Sequence, residues 1–258
     1  MEIHPTAVIS PKAELGEDVA IGAYSTVSRH VVIGSETRIG SHVVIDEHTQ
    51  IGERNRIHPF ACLGTPPQDI GYEGEETRLI MGNENTIREY VTINRATTKE
   101  NGETVLGDRN YLMAYAHVAH DCVLGNDIIL TNVTNLAGHC RIDDYAMLGG
   151  ITAVHQFARI GTHAFLSGNS GISLDLPPYM MASGPRARLY GVNQKGLVRR
   201  GFSQETIDGL KRAYRIIWRE NRRLIEGIAQ VEKQMAPFPE LEVLLRFLKD
   251  SNRGVLRA

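Results

Sequence analysis

Histidine is the side chain best suited to moving protons near neutral pH, and five histidines fall in one stretch of this chain: His117, His120, His139, His155 and His163. They sit in Ala116-His117-Val118-Ala119-His120-Asp121-Cys122, Ala137-Gly138-His139 and Val154-His155-Gln156-Phe157. The intervals are regular: His120, Gly138 and Gln156 follow one another at 18 residues, as do Asp121 and His139. An 18-residue repeat stacks these positions. A base, a backbone N–H with no side chain over it and a primary amide then line one edge. Acyl transfer to a hydroxyl needs a base for the hydroxyl proton and a donor for the developing oxyanion. Exposed corners tolerate isolated polar residues, so a lone histidine would mean little. Four on neighbouring turns, beside a stacked glycine, favour a site.

The repeat that positions them runs through most of the chain. Aliphatic residues recur every six positions from Ile3 to Leu63, at Met81, Ile87 and Ile93, and, after a one-residue phase shift, from Leu106 to Ile172. Glycine often follows the aliphatic, as at Gly16, Gly34 and Gly107, and a small or β-branched residue often stands two before it, as at Ala7, Ala116 and Cys122. Neither a helix of period 3.6 nor a simple strand of period 2 yields this. A short strand plus a tight corner does, with the aliphatic inward and glycine easing the turn backbone. The pattern resembles that of hexapeptide-repeat proteins, which implies a mainly β fold, a left-handed parallel β-helix of three hexads per coil. The clock breaks near 64–79 and 97–104, and such insertions leave a solenoid as surface loops that often mark its binding side. It stops at Leu176-Pro177-Pro178. Beyond a Gly/Pro/Arg-rich connection the spacing becomes helical, with Ser203 as a cap for Ile207, Leu210, Tyr214 and Ile217. Further helices carry Leu224, Ile225 and Ile228, and then, past Pro237 and Pro239, Leu241, Leu244, Leu245 and Leu248. The expected division is a β-helix over 1–185 and a C-terminal α-helical domain over 186–258.

Of 258 residues, 42% are apolar and 22% charged, an ordinary globular composition. No apolar run approaches the roughly 18 residues of a membrane span, and the start lacks the features of a leader, so a cytoplasmic protein without stable membrane insertion is expected. Three cysteines, Cys62, Cys122 and Cys140, without a CxxC pair argue against a disulfide framework and a cysteine zinc site. The net charge of -2 divides into -10 over residues 1–185 and +8 over 186–258. A basic segment on an acidic body suits an acidic protein or a phosphorylated ligand; nucleic acid is not an expected partner.

The whole chain resembles the UDP-N-acetylglucosamine O-acyltransferases that open lipid A biosynthesis. The resemblance rests on His117-Val118-Ala119-His120-Asp121-Cys122, Leu136-Ala137-Gly138-His139, Ala153-Val154-His155-Gln156-Phe157, Asp175-Leu176-Pro177-Pro178-Tyr179, Gly191-Val192-Asn193, Arg199-Arg200-Gly201-Phe202-Ser203 and Arg253-Gly254. It implies transfer of a 3-hydroxyacyl chain from acyl carrier protein to the sugar 3-position, without a cofactor or metal, by a homotrimer with active sites between subunits. His120 matches the general base, Asp121 its partner and Gly138 the oxyanion donor. Gln68 and Asp69 match sugar contacts, and His117, His139, His155 and Gln156 the cleft lining. Asn193, Arg199 and Arg200 match the nucleotide end, where guanidinium forks suit phosphate oxygens. Gly168 matches the position that limits acyl-chain length.

The sequence departs from the common pattern at Gly71, where many relatives have Lys, at Lys195 in place of Glu, and at Asn94-Arg95-Ala96-Thr97 in place of His-Arg-Gly-Thr. These departures leave open an N-acyltransferase acting on the 3-amino analogue of the nucleotide sugar. Two other classes are a non-enzymatic hexapeptide scaffold, which would need no base stacked on a glycine edge, and a trimeric zinc hydratase resembling carbonic anhydrase, with His117, His139 and His155 as ligands.

Overall fold

The computed structural model describes residues 1–220 and 223–258. From Glu2 to Ile172 most strands are two residues long, joined by tight corners. Each pairs in parallel with the strand one coil on, so that Glu2 lies beside Ala20 and His117 beside Asn135. Among the described residues the strands form three sheets of 11, 9 and 8 strands. Here face A is the sheet that starts at Glu2–Ile3, face B the one that starts at Val8–Ile9, and face C the one that starts at Glu14–Leu15.

The hexad explains the faces. Side chains alternate across a strand, so the aliphatic of each pair turns inward and its neighbour outward. Ile33, Ile45, Leu63, Ile87, Leu112, Val118 and Leu136 are at most 1% exposed. The small residues two before them, including Ala61, Ala116, Cys122 and Cys140, fill the remaining interior and are also fully buried. Each such aliphatic contributes about 1.5–3 kcal/mol by leaving water. Both buried cysteines are free thiols.

The recurrent glycine has a different reason from the expected one. The left-handed corner conformation falls on non-glycine residues, such as Tyr115 (φ 63°), Asp121 (φ 60°), His139 (φ 63°) and Phe157 (φ 65°). The glycines themselves stack coil on coil: a Cβ on Gly34 would stand 2.5 Å from the carbonyl carbon of Gly52. Close approach, not turn geometry, excludes a side chain there.

Both insertions are present. Arg56 pairs with Thr86 and Thr86 with Tyr111, although an unbroken coil pairs residues 18 apart. Arg95 anchors the first loop through the Gly64 carbonyl (2.9 Å), the Tyr72 hydroxyl (3.2 Å) and the Asp46 carboxylate (3.4 Å). Asn94, buried, donates from Nδ2 to Thr65 Oγ1 and to the Pro66 carbonyl, each at 2.9 Å.

At its far end the coil passes into an antiparallel hairpin, Met180–Ser183 with Arg188–Val192, that extends face A across residues 185 and 186. Helices α1 (Gln194–Arg199), α2 (Gln204–Tyr214), α3 (Leu224–Gln234) and α4 (Pro239–Lys249) follow. Ser203 caps α2, accepting from the Thr206 N–H. The expected face of that helix is divided: α2 ends at Tyr214, and Ile217 is buried within a π-helical segment, Arg215–Glu220. In α3, Ile228 points inward, but Ile225 is 69% exposed. Pro239 opens α4 instead of only ending what precedes it, because its missing N–H costs nothing at the first helical position.

Candidate active site

The corner between faces B and C carries the site. On one coil it reads Ala119-His120-Asp121-Cys122, and the next two coils place Gly138-His139 and Gln156-Phe157 above it. Backbone bonds fix this register: the His139 N–H donates to the His120 carbonyl (3.0 Å) and the Phe157 N–H to the Gly138 carbonyl (3.1 Å).

His120 and Asp121 form a dyad, with Nδ1 2.8 Å from Oδ2. An ionised carboxylate only accepts, so Nδ1 carries the proton and Nε2 is left with its lone pair. Asp121 is fully buried as a side chain. Burial alone pushes its pKa up, but hydrogen bonds from His120 and from the hydroxyl and backbone N–H of Thr97 outweigh it and hold the carboxyl below its usual range. Thr97 Oγ1 donates to Oδ2 at 2.7 Å and the Thr97 N–H lies 3.1 Å from it. Thr104, at the other end of the second insertion, accepts the Asp121 N–H on its Oγ1 at 2.8 Å. The inserted loop is thus fastened at both ends to the dyad.

The His120 ring lies over Gly138. A Cβ at position 138 would stand 2.5 Å from His120 Cε1 and 2.8 Å from Nε2. The Gly138 N–H donates to no partner among the described residues. A base nitrogen and an uncommitted amide therefore lie side by side, as a hydroxyl nucleophile and a carbonyl under attack require.

Other expected residues fall around this pair. His139 is 5% exposed as a side chain, is held through Nδ1 by Glu100 (3.0 Å) and stacks on Phe157 at 4.4 Å between ring centroids. Its Nε2 lies 3.7 Å from the Asp121 carboxylate. His117 projects from face B with Nδ1 2.7 Å from Thr92 Oγ1. Burial, and next the neighbouring His120 whenever it is protonated, lower its pKa and so favour the neutral ring. His155 and Gln156 are exposed on the same corner two coils above His120. His155 Nδ1 is 2.7 Å from an Arg253 guanidinium nitrogen, so the chain end reaches back to this edge. Gln68 is exposed on the first insertion, and Asp69 beside it is hydrogen-bonded by Lys99 and by the Gly71 N–H (2.8 Å).

The residues expected at the nucleotide end lie on a different part of the surface. Arg200 covers the Tyr145 ring at 4.7 Å, on the corner between faces C and A. His163 stands on that corner too, stacked on Tyr145, with its pKa pushed down to about 4 by burial and the Arg200 charge. Asn193 caps α1, accepting the Gly196 N–H, and donates to the His163 carbonyl at 3.0 Å. Arg199 is exposed in the last turn of α1. Gly168 is exposed on the third corner, between faces A and B. One copy of the chain thus spreads these groups over three edges.

Within one chain the Nδ1 atoms of His117 and His155 are paired with Thr92 and with Arg253, and that of His139 with Glu100. Among the described residues the metal-capable donors that converge are His120, Asp121 and His139, within 4.8 Å of one another. His120 and Asp121 already share a hydrogen bond, the arrangement that orients a base. Sequence reasoning missed Thr97, Lys99 and Glu100, whose one signal was the break in the hexad clock, and Arg253's contact with His155.

Residues 175–256 match the family model described as Udp N-acetylglucosamine O-acyltransferase, Domain 2. The chain is 52% identical to the acyl-[acyl-carrier-protein]–UDP-N-acetylglucosamine O-acyltransferase of Thermodesulfovibrio yellowstonii, over 99% of each chain. It is 47% identical to the enzyme of the same name from Syntrophobacter fumaroxidans, over the full length of both. Its structure is similar to that of the UDP-N-acetylglucosamine acyltransferase from Bacteroides fragilis, with a TM-score of 0.97, 39% identity and coverage of 98% and 99%. The coil is accordingly a left-handed parallel β-helix. With relatives this similar over their whole length, the chain belongs to the acyl-[acyl-carrier-protein]–UDP-N-acetylglucosamine O-acyltransferase family.

Proposed function

We propose that this chain transfers a 3-hydroxyacyl group from acyl carrier protein to the 3-hydroxyl of UDP-N-acetylglucosamine, the first step of lipid A biosynthesis. The observation that carries the reading is the His120 ring lying over the Gly138 backbone while Asp121 holds its other nitrogen. His120 Nε2 takes the proton of the sugar hydroxyl as its oxygen attacks the thioester carbonyl carbon. The carbonyl oxygen becomes an oxyanion that accepts from the Gly138 N–H. The intermediate collapses, the C–S bond breaks, and the thiolate leaves with the proton from the His120 imidazolium. No cofactor enters this balance.

Gln68 and Asp69 take the sugar, with His117, His139, His155 and Gln156 along the cleft. Asn193, Arg199 and Arg200 take the nucleotide. Because those last three lie on another edge from His120, a complete site calls for a second copy. A homotrimer with sites between subunits fits an outward stripe on face A, where Tyr111, Ile129, Met147, Phe165 and Met181 follow one another half-buried. The +8 balance of residues 186–258 suits the acidic acyl carrier protein. Among the described residues no helix is long and apolar enough to cross a membrane. A cytoplasmic setting matches both substrates and the free thiols. Incubation with 3-hydroxyacyl carrier proteins of several lengths and UDP-N-acetylglucosamine yields an O-acylated nucleotide sugar by mass spectrometry. Absence of product with every donor rejects the reading.

Chain length gives a second test. Gly168 stands 48 residues past His120, roughly 13 Å along the axis at about 4.8 Å per coil. That height spans about ten extended carbons. A Cβ there meets only Gly150, its oxygen at 3.2 Å, so a longer side chain projects away from the coil. Glycine leaves the path open beyond that height, so the native protein prefers about 12–14 carbons, and Gly168→Met shifts the preference toward about 10, each methylene denied burial costing roughly 0.8 kcal/mol. An unchanged kcat/KM profile across donor lengths in the folded variant removes Gly168 as the stop.

A further inference from the structure

The second insertion makes three contacts with the site. Thr97 holds the Asp121 carboxylate, Lys99 clamps Asp69, and Glu100 joins His139 to Arg141, the last at 3.1 Å. The Lys99 N–H also lies 3.3 Å from Thr97 Oγ1, which ties the ammonium's own backbone to the residue that orients the dyad. Position 71 brings only a backbone N–H to Asp69. Lys99 is therefore the cation on that carboxylate, and it arrives from a different loop.

The sign of charge here bears on the acceptor. Three carboxylates lie about the dyad: Asp121 on His120 itself, Glu100 on the neighbouring His139, and Asp69 near enough to feel the His120 charge. Glu100 is committed to His139 and Arg141, and Asp121 to His120 and Thr97. Asp69 with no cation would present net negative charge at the mouth of the site and attract an ammonium. With Lys99 on it, that charge is neutralised and an incoming ammonium meets another ammonium. The carboxylate still has acceptor capacity for sugar hydroxyls, because only part of its roughly four lone-pair positions is used. Both contacts on Asp69 favour its ionised form, Lys99 most and the Gly71 N–H next, and hold its pKa below the ordinary value.

We infer that Lys99, held on Asp69 by the inserted loop, is a specificity-determining residue that makes the site select a neutral 3-hydroxyl acceptor over a 3-amino one. The inference rests on the acyltransferase reading and deepens it: the protein discriminates by the charge of the group to be acylated. The effect falls on acceptor binding, since an amine must lose its proton before attack with or without Lys99.

The test uses the full chain with one 3-hydroxyacyl carrier protein and, in separate and competing reactions, UDP-N-acetylglucosamine and its 3-amino analogue. The native protein favours the hydroxyl acceptor. Lys99→Met lowers the hydroxyl-to-amine ratio of kcat/KM by about fivefold, the scale of one half-exposed charge. The change lies mainly in a lower KM for the amine. Lys99→Arg keeps the native ratio. Lys99 is exposed, so the variants fold, and a thermal melt confirms it. A ratio in Lys99→Met within about twofold of native overturns the inference while leaving the acyltransferase intact, and so does a native preference for the amine. A native protein that acylates neither acceptor overturns the underlying reading instead.

Discussion

His120→Ala turns over roughly 10²–10⁴ times more slowly than the native protein, the usual worth of a positioned general base. The loss corresponds to about 2.7–5.5 kcal/mol of transition-state stabilisation. The fold survives, because the ring sits on a corner outside the aliphatic core and Asp121 keeps both hydrogen bonds from Thr97. Single-turnover acyl transfer measures the effect, and a thermal melt confirms that the variant is folded. A folded variant with near-native turnover takes His120 out of the mechanism and leaves the Gly138 amide without a partner base.

Gly138→Ala adds one methyl group and costs nearly as much. The backbone there is outside the left-handed region, so alanine is accepted. The methyl, however, would stand 2.5 Å from His120 Cε1 and 2.8 Å from the nitrogen that takes the proton. The ring must swing away from both the amide and the attacking hydroxyl, with Asp121 still holding its far side. Alanine keeps the backbone N–H, so the loss comes from displacement of the base, whose positioning is worth about 10²–10⁴ in kcat. The fall appears in kcat, with KM for the nucleotide sugar little changed, and the His120 Cε1–H resonance shifts. Native kcat in this variant, with that resonance moved, would show that turnover does not depend on the His120 ring lying over residue 138.

The coil was legible because every hexad repeats one physical role. Ile21, Ile39 and Ile57 are each the inward residue of a two-residue strand, and nothing else in the chain competes for that periodicity. The dyad and its glycine were legible for the same reason, since a spacing of 18 is a spatial statement in such a fold. The insertions have no period, so Thr97, Lys99 and Glu100 gave no sign of reaching Asp121, Asp69 and His139. Arg253 meets His155 across 98 residues, a closure that depends on how the helices return the chain to the coil. The π-helical segment after Tyr214 was hidden too, because Ile217 fits an ordinary helical face as well as the observed one. At the hexad glycines the pattern was read correctly and its cause was not: the limit lies between coils, in the approach of Gly34 to Gly52, and a single hexad does not contain it.

Because the strands of each coil pair only with those of the coil before and after, the molecule behaves like a stack of interchangeable washers on a common axis. The proposed chemistry occupies a few of them, from the one bearing His120 to the one bearing Gln156. The washers from Glu2 to Ile57 contribute length and thermal margin without setting any distance between Nε2 and the Gly138 amide. Such a molecule can gain or lose whole turns at its blunt end during descent while its working parts keep their spacing to the ångström. Removal of six residues between His120 and Gly138 would rotate one of them a third of the way round the axis.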